Sequence, residues 1–284
     1  IGEKIKINGS YFFNQVRNDL VQQRSRETFL NADSSQIYQE LSTSESLNRN
    51  HRLTLRMEYS INERNSLLFT PTFSYQENES MDFQDGLTLT PSGDSINSSL
   101  SYLTSERQGF TTSGNLLFRH RFEKRGRTFS LNLSGSLNDN EGKSVQESAN
   151  QYYLTDRKDS INQWVDSNNP GSRISLNAIY TEPLGDKAQL QFNYAITRQD
   201  AISERETYQY DPLNEIRQGL DTALSNNFNS TYETHRPTVG IMIRGEKMML
   251  RGGISYQYAR LQSEQEFPQE ATINRNFNNV LPSL

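Results

Sequence analysis

Alternation with a period of two residues, recurring in many separate segments, constrains this chain more than any other feature. Between Arg52 and Ile61, the residues Leu53, Leu55, Met57, Tyr59 and Ile61 fall on one side, and Arg52, Thr54, Arg56, Glu58 and Ser60 on the other. Successive side chains of a strand point to opposite faces, so this segment reads as a β-strand with one oily and one wet face. The next segment sets Leu67, Phe69, Phe73 and Tyr75 against Thr70, Thr72, Ser74 and Gln76. The pattern returns at Ile5–Phe13, Phe129–Leu137, Ile174–Tyr180, Leu190–Ile196, Val239–Ile243 and Leu250–Tyr258. Leu116, Phe118 and Phe122 complete the set, with His120 a polar member of their oily face. These runs predict nine strands, each of about ten residues, the length a tilted strand needs to cross a bilayer.

The connections alternate between very short and very long. Short turns read Asn62-Glu63-Arg64, Lys124-Arg125-Gly126, Leu184-Gly185-Asp186 and Gly245-Glu246-Lys247, and the opening Ile1-Gly2-Glu3-Lys4 resembles the last of them. Markers at Glu3, Glu63, Arg125, Asp186 and Glu246 recur at intervals of about 60 residues, a repeat of one hairpin plus one long excursion. The excursions, at about 15–50, 77–112, 138–171 and 198–235, are rich in Ser, Asn, Asp, Gln and Glu. Loops longer than about 15 residues are uncommon in compact domains. An outer-membrane barrel supplies a reason for them, with short periplasmic turns and long extracellular loops. The lower parts of the excursions are expected to continue as strand ribbons, since Gln36–Leu41, Gln151–Thr155 and Thr207–Tyr210 also look extended. Asn169-Pro170-Gly171 and Asp211-Pro212 mark turns within them.

A soluble β-sandwich alternates too, so the period alone does not choose between lipid and a protein core. Composition leans away from a large core: hydrophobic residues make up 33% of the 284, and the mean hydropathy is −0.82. Full charges occupy mid-strand positions of the wet face, as at Arg56, Glu58, Arg119, Arg121 and Arg251. Aromatic residues gather toward the loop ends of the oily faces, at Tyr11, Phe13, Phe73, Tyr75, Tyr194, Tyr256 and Tyr258, where they would form an interfacial girdle. In lipid every backbone polar group must be paired, and uniform antiparallel hairpins achieve that when a sheet closes. The expected fold class is therefore all-β: antiparallel up-and-down transmembrane barrel strands, forming a partial barrel, in the outer membrane of a Gram-negative bacterium. No apolar run reaches the length of a membrane helix, and the absence of cysteine fits the cell envelope. A net charge of −5 with scattered Lys and Arg gives no nucleic-acid surface.

The run Asn8-Gly9-Ser10-Tyr11-Phe12-Phe13-Asn14, followed by Asn50-His51-Arg52-Leu53 and Arg56-Met57-Glu58-Tyr59, resembles the barrel region of Bacteroidota TonB-dependent receptor-like outer-membrane β-barrel proteins. The resemblance covers most of the chain as a pattern, but its specific words lie mainly between Ile1 and Tyr75. It implies a barrel of about 22 strands, closed by an N-terminal plug and opened by an energy-coupling protein. This sequence shows no plug, no coupling box and no aromatic closing strand, and it ends at Pro282-Ser283-Leu284. Residues 1–284 are accordingly expected to be an internal fragment of one barrel domain, with less than half of the strands. The implied role is uptake of a scarce nutrient, such as a metal chelate or an oligosaccharide. The implied partners are outer-membrane lipid, the plug, the coupling protein and a small-molecule or glycan ligand. A structural or adhesive barrel and a soluble β-rich binding module are the alternatives.

Motifs that carry chemistry in contiguous sequence are missing: no Gly-rich phosphate loop, no Gly-x-Ser-x-Gly elbow, no His-Glu-x-x-His helix. The expectation is a chain that is not an enzyme and holds no cofactor or metal. His51, His120 and His235 lack ligand spacing. The competing enzymatic reading is a surface protease or lipase on a small barrel, with His51, His235 and Glu233 at its extracellular rim. Candidate ligand contacts are Trp164 with Tyr152 and Tyr153 in one long loop, against the plainer reading of a loop Trp packed on its own hairpin. Arg52 and Arg56, with Arg119, Arg121 and Arg251, are candidates to steer an anionic substrate or hold a plug; the plainer reading is a hydrated wall balanced by Glu58 and Glu123. Asp139, Glu141, Asp156, Asp159 and Asp166 make one loop acidic, but no Asp-x-Asn-x-Asp-Gly loop accompanies them.

Overall fold

The computed structural model describes residues 4–31, 34–245 and 248–283. Every regular element among them is a strand: β1 (Ile5–Asn31), β2 (Ser34–Asn62), β3 (Asn65–Leu89), β4 (Ser95–Arg121), β5 (Thr128–Tyr152), β6 (Arg157–Asn168), β7 (Gly171–Leu184), β8 (Ala188–Asp211), β9 (Ile216–Leu220), β10 (Asn226–Arg244), β11 (Met249–Phe267) and β12 (Ala271–Ser283). All belong to one 12-stranded antiparallel sheet. β6 and β7 both lie between β5 and β8, β6 on the loop side and β7 on the turn side. They form one strand position broken at Asn169-Pro170, where the Ile202 N–H still donates to the Pro170 carbonyl. β9 and β10 share the next position beside β8 in the same way. Within the described residues, β1 pairs only with β2, and β12 only with β11.

The chain is one layer thick. Ala259 is the one buried hydrophobic residue among those described, while Leu53, Leu55, Phe73, Leu137 and Ile174 remain 40–56% exposed. A sandwich would bury those side chains between stacked sheets; here no second layer among the described residues covers them. An uninterrupted apolar surface of this size is unstable in water and at home in hydrocarbon. On β4 and the residue that follows it, the oily face runs from Phe110 to Phe122. That is about 40 Å of strand, or about 28 Å of height at the ~45° tilt usual in barrels, close to the thickness of a bilayer core.

Turn chemistry explains the short side. The Asn62 Oδ1 accepts the backbone N–H groups of Arg64 and Asn65, each at 2.9 Å. Gly126 and Gly185 supply φ values of +85° and +69° in the next two turns, a region costly for residues with a Cβ. The markers Glu63, Arg125 and Asp186 therefore sit in short turns. The outer markers Glu3 and Glu246 lie outside the described residues, as do Ile1, Gly2, Lys247 and Leu284.

Two expectations need correction. The strands are far longer than a bilayer requires, with 29 residues in β2 and 27 in β4. The four excursions are strand for most of their length, ending in turns such as 90–94, 153–156 and 212–215. Above the membrane, water bathes both faces, so backbone pairing and polar side-chain contacts hold the ribbons and no oily-wet alternation is imposed. Furthermore, ten strand positions are present rather than nine, the addition being β12. It meets the apolar band only near Val280 and Pro282, paired with Tyr256 and Ile254, too briefly to leave a pattern.

Candidate functional site

Strand register sorts the side chains onto two faces. The oily face ends on the loop side in a repeated aromatic set. The Tyr11 hydroxyl lies 2.7 Å from the His51 Nδ1, and the His51 ring lies tilted at 6.5 Å from that of Tyr75. Far along the chain, the Tyr194 hydroxyl lies 3.1 Å from the His235 Nδ1, with Tyr258 at 6.2 Å on the other side. At the opposite edge of the band His120 meets Phe122 edge-on at 4.4 Å, and its Nδ1 is 2.7 Å from the Asn65 Oδ1. The three histidines thus occupy the borders of the apolar band, where amphipathic rings prefer to sit. Sequence alternation placed the tyrosines there; the imidazoles, as polar residues, were missed as girdle members.

Directly above the upper aromatic set the same face turns charged. Arg49 pairs with Glu77 at 3.3 Å and Glu79 at 2.9 Å, and Arg198 with Asp200 at 3.0 Å and Glu233 at 3.4 Å. A hydrogen bond from the Tyr75 hydroxyl, then Arg49, holds the Glu77 carboxyl below its usual range. Arg198, then the Thr231 hydroxyl, does the same for Asp200. Glu233, a member of the enzymatic reading, is held by Arg198.

Trp164 stands on β6 in this charged zone. Its indole Nε1 donates to the Asp166 Oδ1 at 2.8 Å, and its ring lies 6.0 Å from Tyr210. Arg217 of β9 folds over to pair with Asp166 and covers the Tyr208 ring at 5.1 Å. Trp164, Asp166, Arg217, Glu204 and Arg49 line a hollow of about 1120 Å³. Tyr152 and Tyr153 do not join it. Trp164 pairs with Val145, and Tyr152 lies about 24 Å further up the same strand. There Tyr152 carries the Arg157 guanidinium over its ring at 5.4 Å, and the Tyr153 hydroxyl lies 3.2 Å from the Ser98 Oγ. Among the described residues no three carboxylate or imidazole groups converge as a metal cage would require. In the acidic loop Asp159 pairs with Arg157, and Glu141 accepts from Gln108.

Arg52 and Arg56 lie on the opposite, wet face. Arg56 Nε donates to the Glu58 Oε1 at 3.0 Å, and Arg52 sits between Phe12 and Ser74 on the neighbouring strands. Near the short turns this face carries a second hollow of about 1190 Å³, lined by Arg64, Arg119, Arg121, Asn115, Asn132 and Asn177 among others. Glu123, expected to balance the wet-face arginines, instead pairs at 2.9 Å with Arg64 in the turns. The sequence-predicted contacts therefore occupy three separate places: the ribbon tips, the Trp164 hollow and the wet wall.

A single-layer antiparallel sheet with an exposed apolar band, aromatic borders, short turns on one side and long ribbons on the other is the wall of an outer-membrane β-barrel. The chain belongs to the outer membrane protein β-barrel family, whose family model matches residues 120–284. The match falls on the later part of the chain, whereas the resemblance noted in sequence rested mainly on the stretch from Ile1 to Tyr75. Among curated proteins none matches. Among solved structures, the outer membrane protease OmpT from Escherichia coli is similar over 99% of this chain and 95% of its own, at 7% identity and a TM-score of 0.33. The expectation that the chain is not an enzyme is corrected by this finding, since the matched outer-membrane protein is a protease. The physical reason is that absent contiguous motifs exclude little here: an open sheet face can assemble a site from residues of different hairpins. A likeness this distant assigns no activity to this chain.

Proposed function

We propose that this chain forms part of the barrel wall of an outer-membrane receptor that takes up a scarce nutrient, a metal chelate or an oligosaccharide. The observation that carries this reading is the wet face. Its hydroxyl, carboxamide and guanidinium groups, with Leu117 and Ile179 among them, line an open hollow of about 1190 Å³, below ribbons long enough to capture ligand outside the cell. The resemblance to Bacteroidota TonB-dependent receptor-like barrels supports the same role, and with it a plug and an energy-coupling protein as partners. On this reading residues 1–284 are one part of a single barrel domain. The one-sided pairing of β1 and β12 supports that, because unpaired backbone groups in hydrocarbon cost several kcal/mol each. Trp164, Tyr152 and Tyr153 are proposed as outer ligand contacts, and Arg52 and Arg56 as contacts along the passage. Accumulation of radiolabelled ferric chelates and oligosaccharides, compared in cells with the gene deleted and restored, tests the proposal. A deficit for one solute, reproduced by a protonophore, supports it; accumulation of every solute at the parental rate refutes it.

A further inference from the structure

The overall charge of −5 hides a separation of charge between the two faces of the sheet. On the wet face, within the rows that the apolar band covers from outside, β1 and β2 present Lys6, Arg52 and Arg56, and β4 presents Arg119 and Arg121. Further round, Arg173 of β7, Arg236 of β10 and Arg251 of β11 occupy the same face. Against them, among the described residues of those rows, stands one carboxylate, Glu58, bonded to Arg56 and within the field of Lys6 and Arg119. No direct ion pair among the described residues engages Arg52, Arg119, Arg173 or Arg236. The carboxylates lie elsewhere: Glu77, Glu79, Asp200 and Glu233 are on the other face, above the aromatic border, in pairs with Arg49 and Arg198.

A wall of one sign beside hydrocarbon focuses its field into the space it faces and concentrates the opposite charge there. Rings of Arg and Lys are how pores are made to favour anions and phosphates. The guanidinium is suited to the task because its fixed fork of donors matches carboxylate and phosphate oxygens two at a time. Between the cations stand neutral donors: Ser60, Asn65, Ser66 and Asn132 line the same hollow as Arg119 and Arg121. Neutral donors set among cations in such excess form a binding wall for an anion with several oxygens. A neutral sugar can accept hydrogen bonds from the guanidinium groups but offers no charge for them to neutralise.

We propose that the wet face binds and passes small solutes bearing phosphate or carboxylate groups, with Arg52 and Arg119 as the principal contacts and Lys6, Arg173 and Arg236 extending the track. This rests on the reading of the wet face as a solute passage and narrows it to one chemical class.

The test uses the full-length protein in lipid nanodiscs and equilibrium dialysis against radiolabelled pyrophosphate, citrate and, as the uncharged control, maltotriose. Pyrophosphate and citrate should be retained well above maltotriose, with retention weakening as salt rises. The double variant R52Q/R119Q should lose about tenfold or more of it, the scale on which focused fields act. R17Q, which breaks the pairs of Arg17 with Asp19 and Glu45 on the opposite face, should retain both anions as the parent does. Equal retention by R52Q/R119Q and the parent overturns the proposal. So does preferential retention of maltotriose, which would leave uptake standing with a neutral solute. Retention of none of the three, as when an acidic segment of the protein fills the wall, overturns it as well. Should R52Q/R119Q fail to fold, the salt dependence of the parent decides: anion retention indifferent to ionic strength is incompatible with a cationic wall.

Discussion

Leu55 and Thr54 are neighbours in the chain but live in different solvents. Leu55 lies in mid-band on the oily face, 40% exposed and against Gly9, where a Cβ on the glycine would meet the Leu55 Cδ2 at 2.8 Å. Thr54 faces the wet side beside Ser10 and Thr72. Leu55→Arg should destabilise the lipid-inserted fold by roughly 2–4 kcal/mol, the cost of a cation at mid-bilayer, and Thr54→Arg by far less. Urea titration of protein folded into vesicles reads the difference, and equal losses would invert the facing. Trp164 shows what residue-level reading misses. Its partners Asp166 and Tyr210 lie above the band, where both faces are wet, so nothing in the sequence marks which side the indole takes. Because Trp164 is the only tryptophan, Asp166→Asn has a clean readout: with the indole and Arg217 both less firmly held, emission should shift to the red and iodide quenching rise. Emission identical to the parent would show that Asp166 does not hold the ring.

At the scale of the strand, legibility follows solvent. Where hydrocarbon meets one face, every second residue is selected for it, and Arg52–Ile61 or Phe129–Leu137 can be read directly from the sequence. Beyond the aromatic border that selection stops, so the ribbons look like loops although β1 and β2 pair in register from Ile5 and Tyr59 up to Phe29 and Ser35. Side-chain pairing there is electrostatic. Glu40, buried in the ribbon, is held below its usual pKa by the Tyr38 hydroxyl and Gln84, and Glu77 by Tyr75 and Arg49. Asp211 is lowered by the Asn214 side chain and the Leu213 N–H. Folded values below unfolded ones mean that this stabilisation is complete above the unfolded carboxylate range near pH 4 and is lost as pH falls through the depressed values. Hydrogen-exchange protection in the ribbons, taken relative to the intrinsic rate at each pH, should therefore fall between about pH 4 and pH 2 while the apolar band stays protected; uniform protection in both regions would contradict it. The turn at 90–94 offers a topological check. Gly93, with a φ of +95°, has open space around its Cα, so a short tag inserted there should be tolerated and label intact cells. Labelling only after the outer membrane is broken would turn the sheet upside down.

For the whole molecule, the class of protein was written in the alternation and in the rhythm of short and long connections, because both arise from one constraint, a sheet crossing a slab of fixed thickness. The candidate site was not. Arg52 and Arg56 were found as wet-face residues, yet the preponderance of cations on that face emerges only when register aligns residues from β1 to β11. Glu123 looked like their counterweight in sequence and is paired with Arg64 in the turns.

The height of the ribbons has a further consequence. β1 runs on from Phe13 in the aromatic border to Asn31 at the hairpin tip. At ~3.4 Å per residue and a ~45° tilt, that stretch carries the tip about 40 Å above the aromatic border. An antibody or a phage approaching the bacterium would touch these polar tips first, while the apolar belt stays screened by lipid. Selection by such visitors would fall on the tips, leaving the wall beneath free to keep its composition.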